Sequence, residues 1–318
     1  MSRQKDFDDI LKEIDATDNF SNLGGNVSVA LSMLFMKYKA YESGLDVYEY
    51  LNKKPKKADL PKPLGNVLGG GLHSNNILPV QEVLVSHLSK DVYKNIENNI
   101  KVYHELERIL KSKNYFFGKN DEGAISTNIK FSVALKFLDK AIKNLKLNTK
   151  IGFDIAASSF YKNGKYIFEG KKYTEEKFSK YLETVLSDYS NIIYMEDPFY
   201  EESFDAYKKL QDKTKAMICG DDLFTTNVKR IKQGIHSTKA VLIKPNQIGT
   251  LTDTYKAVKL AKDNDLTPVI SHRSGETGDV TISHLAVGWK IPFIKTGTVS
   301  GGRISKLNEL IYINERLS

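Results

Sequence analysis

Six short apolar runs each end on an ionisable side chain: Asp154 after KIGF, Glu196 after NIIYM, Asp221 after AMICG, Lys244 after AVLI, His272 after TPVIS and Lys295 after PFI. From Glu196 onward the intervals are 25, 23, 28 and 23 positions, each about one strand–helix unit. This spacing predicts that the side chains converge on one rim of a parallel barrel, the C-terminal mouth where barrel enzymes keep their chemistry. Taken singly, an Asp or Lys at a strand end is a solvated cap or a surface ion pair. Six in register point instead to a site. Three carboxylates on neighbouring strands repel one another unless a cation lies between them, and an all-oxygen set suits Mg²⁺ or Mn²⁺. The two lysines are expected on the far side of that mouth, where their mutual repulsion and a nearby cation would lower the pKa of one. A lysine so tuned is a base, and a metal opposite a lysine base is the arrangement that removes a proton α to a carboxylate.

The elements that must position these residues follow from periodicity. The first sixty residues read as helices (KDFDDILKEIDA, GGNVSVALSMLFMKYKAYESG, DVYEYLNKK), with Gly24 and Gly25 separating the first two. The second is apolar nearly all round in its first turns, which demands neighbours on more than one side. After the linker PKKADLPKP, eight β-rich runs alternate mostly with amphipathic stretches: LGNVLGG, EVLVS, KIGFDIA, NIIYME, AMICGD, AVLIKP, TPVISH and PFIKTG. Eight strands fit a closed barrel. Too few residues separate the first two for a crossover helix, so an antiparallel hairpin should open it. The expected fold is therefore an α/β chain: a helical segment over residues 1–60, then an irregular (β/α)8 TIM-type barrel over residues 61–318.

With 318 residues, 47 Lys plus Arg and 39 Asp plus Glu, the chain carries a formal charge of +8. The basic residues are interleaved with acidic ones, which argues for solvated helix faces, with no specific nucleic-acid partner and no membrane. No apolar run reaches membrane-spanning length, the charged start is unlike a signal peptide, and the single Cys219 forms no internal disulfide. A reducing cytoplasm is the expected compartment. Two further segments point into the predicted mouth. His73, Gln81 and Glu82 flank the first hairpin, and Glu122 lies in the loop KNDEGA before a helix. Alone, each has an ordinary structural explanation as a packed histidine or a helix-start carboxylate.

Taken together, LGNVLGGGLHSNN, LPVQE, NDEG, FDIAASSFY, YMEDPF, GDDLFTTN, IKPNQIGT, SHRSGET and IKTG resemble, in order, the motif series of the enolase family. The resemblance covers nearly the whole chain. It implies a magnesium-dependent lyase that interconverts 2-phosphoglycerate and phosphoenolpyruvate in glycolysis and gluconeogenesis. It also implies that Asp154, Glu196 and Asp221 hold the first Mg²⁺, that Lys244 is the base, and that Glu122 is the acid that lets the C3 hydroxyl leave as water. Lys295 would neutralise the substrate carboxylate, and Arg273 and Ser274, within the run Ser271, His272, Arg273, Ser274, would bind the phosphate. His73, Gln81 and Glu82 would line the leaving-group side. A donating role for Glu122 requires a raised pKa.

Some positions depart from the family pattern: Leu72 stands where a small residue is usual, NDEGA replaces GDEGG, and Gly278 replaces an acidic residue. The chain also starts where the family's N-terminal domain is already in its helices. The resemblance thus implies that a three-stranded sheet and a serine-bearing lid lie elsewhere, supplied by a separate polypeptide, or that the bare helix pairs with a second copy; the family resemblance implies a dimer. The competing reading is a paralogue with impaired catalysis that serves as a binding or scaffold protein. A related dehydratase acting on another acid fits less well, because Arg273 and Ser274 suit phosphate.

Overall fold

The structure is a computed structural model and describes residues 2–71 and 76–317, so Leu72 and His73 lie outside the described residues. Three helices come first: α1 (Ser2–Asp15), α2 (Gly25–Glu42) and α3 (Val47–Leu51). Gly24 takes φ 86° at the start of α2, a conformation that favours glycine. Buried Asp8 on α1 accepts hydrogen bonds from Gln4, from Ser32 of α2 at 2.7 Å and from the backbone amide of Thr252 at 2.9 Å, pinning the helical segment to the barrel. Helix α2 buries Val29, Met36 and Ala40. Helices α1 and α3 and helices of the barrel meet it on more than one side, and the described chain leaves part of its apolar surface uncovered. Val27, Leu31 and Leu34 remain 43%, 37% and 61% exposed, beside a mainly apolar cavity of about 460 Å³.

The barrel begins with β1 (Lys62–Gly69) and β2 (Glu82–His87), followed by α4 (Val92–Ser112), the small hairpin β3 (Phe117–Lys119) and β4 (Ile125–Thr127), and α5 (Phe131–Asn144). Strand β5 (Thr149–Asp154) is followed by a three-stranded flap, β6 (Tyr161–Lys162), β7 (Lys165–Phe168) and β8 (Lys171–Tyr173), and by α6 (Glu175–Asp188). Then come β9 (Ile192–Glu196), α7 (Phe204–Asp212), β10 (Met217–Gly220), α8 (Val228–Gln233), β11 (Ala240–Ile243), the single-turn α9 (Pro245–Ile248) and α10 (Leu251–Asp263). The chain finishes with β12 (Thr267–Ser271), α11 (Thr281–Gly288), β13 (Phe293–Gly297) and α12 (Ile304–Arg316).

Strands β1, β2, β5, β9, β10, β11, β12 and β13 close into a ring through a parallel β13–β1 pairing. The predicted hairpin is present. Strand β2 runs antiparallel to β1 and also to β5, and the other pairings of the ring are parallel. Leu64, Leu84, Tyr194, Cys219, Ala240, Leu242 and Val269 fill the interior, while a larger apolar core lies between strands and helices. Among the described residues, no helix is long and apolar enough to cross a membrane.

Candidate active site

Because strand side chains alternate between faces, a residue two positions from an inward apolar one also points inward, one layer higher. Leu64 is followed in this way by Asn66, Gly152 by Asp154, Tyr194 by Glu196, Cys219 by Asp221, Leu242 by Lys244, Val269 by Ser271 and Phe293 by Lys295. Reversed β2 places its first residue, Glu82, before Leu84 at the same mouth. The pairings Glu82 with Asp154 and Asp154 with Glu196 align three carboxylates across adjacent strands. All are buried.

Lys295 reaches across the barrel to meet them, with Nζ 2.7 Å from Asp154, 2.8 Å from Glu196 and 3.4 Å from Glu82. It lies at the middle of β13 and not at a strand end. Lys244 pairs with Asp221, which also accepts from Gln247 Nε2 at 3.2 Å. The lysines are thus interleaved with the carboxylates, which corrects the expectation that they occupy the far side of the mouth. Burial opposes a charge on Lys244, but the Asp221 carboxylate prevails and holds its pKa above the ordinary lysine value. The lowering expected for Lys244 belongs to a site in which a divalent cation draws Asp221 away from the ammonium.

Glu122 lies in the loop between β3 and β4, with Oε2 accepting from Asn66 Nδ2 at 2.8 Å. Burial, and then the neighbouring Glu82 carboxylate, push its pKa up to about 9. Glu82 moves the other way: burial works against its charge, but Lys295 and His272 hold it below the usual carboxylate range. The pair therefore consists of one neutral acid and one carboxylate at neutral pH, the division of roles that environment imposes on paired carboxyls. Burial lowers the pKa of His272, whose Nε2 lies 3.5 Å from Glu82 Oε1.

Gln81, Glu82, Glu122, Asp154, Asp221, Lys244, Ser271, His272, Arg273, Ser274 and Lys295 line a single cleft of about 260 Å³. Glu196 forms part of its floor through Lys295 and accepts a 2.7 Å hydrogen bond from the buried Tyr194 hydroxyl. Arg273 donates to Asn246 Oδ1 at 2.8 Å, and Ser274 is exposed at the rim. His73 lies outside the described residues. Residues not singled out from the sequence also belong here: Asn66, Gln247, Asp197, Asp222 and Arg303. Asp197, at φ 42°, accepts from the backbone amides of Asp221 and Asp222 at 2.9 and 2.7 Å. Its place directly after Glu196 in YMEDPF was the available signal. Asn66 was hidden inside an apolar run, legible only once the inward face of β1 is known.

The donor chemistry fits a hard divalent cation. Carboxylates outnumber cationic side chains around the cleft, and carboxylate oxygens of Asp197, Asp221 and Asp222 lie within 4.8 Å of one another. Of the triad expected from the sequence, Asp221 belongs to this cluster, while Asp154 and Glu196 gather on Lys295, and burial with the adjacent Asp154 raises the Glu196 pKa.

Comparison with known proteins adds to this geometry. The family model described as the C-terminal TIM barrel domain of enolase matches residues 57–318, and that of the enolase N-terminal domain matches residues 1–51. The chain belongs to the enolase family. It is 42% identical over 319 residues to an enolase of Archaeoglobus fulgidus, covering 98% of this chain and 79% of that relative. An enolase of Picrophilus torridus is 43% identical, with 99% and 80% covered, and one of Ehrlichia canis is 39% identical, with 99% and 77% covered. The sequence resemblance and the barrel thus lead to the same family.

Proposed function

We propose that this enolase-family chain catalyses the Mg²⁺-dependent, reversible dehydration of 2-phosphoglycerate to phosphoenolpyruvate, the lyase step of glycolysis and gluconeogenesis. The observation that carries this reading is one cleft lined by the buried Glu122, whose pKa is raised, and by Lys244 and Lys295. Bound through Asp154, Glu196 and Asp221, the cation would supply charge stabilisation to the developing ene-diolate.

The chain's own residues divide the rest. Lys244, its pKa brought down where Asp221 serves the cation instead of the ammonium, takes the proton from C2. The electrons of that C–H bond pass into the carboxylate as the ene-diolate and return to form the C2–C3 double bond as the C3–O bond breaks, and Glu122 gives its proton to the departing hydroxyl, which leaves as water. Glu82 stays ionised beside Glu122 and keeps that proton in place. Lys295 supplies positive charge to the substrate carboxylate, and Arg273 with Ser274 takes the phosphate at the rim. His73, Gln81 and Ser271 complete the lining.

The test is ultraviolet absorbance of the enol product from 2-phosphoglycerate plus Mg²⁺, with Lys244→Ala and Glu122→Gln as controls. Turnover that survives either substitution would refute the assignment of roles. The proposal extends to a cytoplasmic location, supported by the buried free Cys219, and to a covering polypeptide or second copy over α2, supported by its exposed apolar face. Light scattering of the purified chain tests the latter, since a soluble, active monomer would exclude it.

A further inference from the structure

Arg303 precedes α12 and is 3% exposed, yet no sequence motif marks it as part of the site. Its guanidinium fans out over two separate loops. Nε donates to His272 Nδ1 at 2.8 Å, Nη1 to the Asp121 carbonyl at 3.1 Å, and Nη2 to the carbonyls of Arg273 and Ser274 at 2.9 and 2.7 Å. The same Nη2 lies 3.6 Å from Glu122 Oε1. Gly297 makes this approach possible, since a Cβ there would lie 3.1 Å from Arg303 Cβ and 3.4 Å from the Glu122 carbonyl.

Guanidinium can only donate, so the His272 Nδ1 that receives its Nε–H must present a lone pair. In a neutral imidazole the single ring proton then sits on Nε2, the nitrogen that faces Glu82. We propose that Arg303 is a positioning residue: it fixes His272 as the Nε2–H tautomer aimed at Glu82 and ties the Glu122 loop to the 272–274 anion loop as one rigid unit. This rests on the roles proposed above for Glu122, Arg273 and Ser274. A lysine cannot reproduce the fan, because one ammonium cannot present donors in the flat fork that serves a ring nitrogen and carbonyls on two loops.

The experiment uses the full chain labelled with ¹³C and ¹⁵N at histidine, the His272 signals being assigned by comparison with His272→Gln. Wild type should show His272 as the Nε2–H tautomer, and Arg303→Lys should show a mixture of tautomers. In the variant, inorganic phosphate should bind several-fold more weakly, and kcat should fall by about 100-fold, the scale of loss from small misplacements in a preorganised site. Guanidinium added to Arg303→Ala should restore part of the tautomer signal. A wild-type spectrum with the proton on Nδ1, or with imidazolium at neutral pH, overturns the inference without any variant. An unchanged tautomer and unchanged phosphate affinity in a folded Arg303→Lys overturn it as well. Wild type that shows the Nε2–H tautomer but no turnover would sink the proposed reaction while leaving the Arg303 assignment standing.

Discussion

Replacing Glu122 by Gln tests whether this buried carboxyl holds a proton at neutral pH. The substitution keeps the shape, lets the side-chain oxygen accept from Asn66 and leaves an amide to donate toward Glu82. In the folded wild type Glu122 stays protonated up to about pH 9, whereas the same group in the unfolded chain ionises near its ordinary value of 4.5. Between those values the folded state binds one proton more than the unfolded state. A carboxyl raised in this way makes stability fall as pH rises, by up to ~1.4 kcal/mol per unit. From about pH 6 to pH 8 the wild type should therefore lose roughly 3 kcal/mol that the variant does not lose. Every other titrating group is common to both proteins and cancels to first order in the difference. The assay is chemical denaturation of wild type and Glu122→Gln at a series of pH values. The two stability curves should diverge steadily, with the variant gaining toward alkaline pH. Parallel curves across this window would show that Glu122 is already ionised, and the acid role assigned to it would be untenable.

Other perturbations bear on neighbouring parts of the molecule. Tyr194→Phe removes the buried donor to Glu196 and should cost about 1 kcal/mol of stability. It should also weaken Mg²⁺ binding by roughly tenfold as that carboxylate loses its fixed orientation, and calorimetric titration with unchanged affinity would count against a ligand role for Glu196. Gly70→Ala would bring a Cβ to 2.3 Å from the Leu78 carbonyl and 2.7 Å from that of Val80, so the hairpin must open. Thermal unfolding should register a loss of about 1–3 kcal/mol, and no loss would show that the turn is far more pliable than its packing implies. In wild type, turnover should decline as pH rises through about 9, where Glu122 gives up its proton. A rate that stays level well above that point would assign the acid elsewhere. Removing divalent cations with a chelator should stop turnover, and restoration by Mg²⁺ alone would identify the ion.

The barrel was legible because its strands announce themselves twice, by β-branched runs and by the polar residue that ends each. Asp154, Glu196, Asp221 and Lys244 could be placed at one mouth from that signal alone. Glu82 could not, because β2 runs backwards and its functional end is its first residue. Antiparallel pairing of β1 with β2 was readable from the short connection, but pairing of β2 with β5 follows only from ring closure. Lys295 was assigned to a strand end, whereas its position within β13 matters less than its length, which carries the ammonium across to Asp154 and Glu196. The pairing of Lys244 with Asp221, which holds its pKa up, is set by distances that spacing does not encode. Arg303 was invisible for a similar reason: its partners lie on loops far apart in sequence.

The ring is sealed by β1 against β13, so its first strand must wait for its last, with Lys62 opposite Phe293. During synthesis, Glu82, Asp154 and Glu196 leave the ribosome long before Lys295, the ammonium that meets all three. Until then these carboxylates have no reason to be buried, and the half-made barrel keeps them in water. Closure of the seam is therefore also the moment at which their shared ammonium arrives. A nascent chain arrested ahead of β13 would be an open, acidic-mouthed sheet, and the arrival of one lysine would convert it into a closed enzyme.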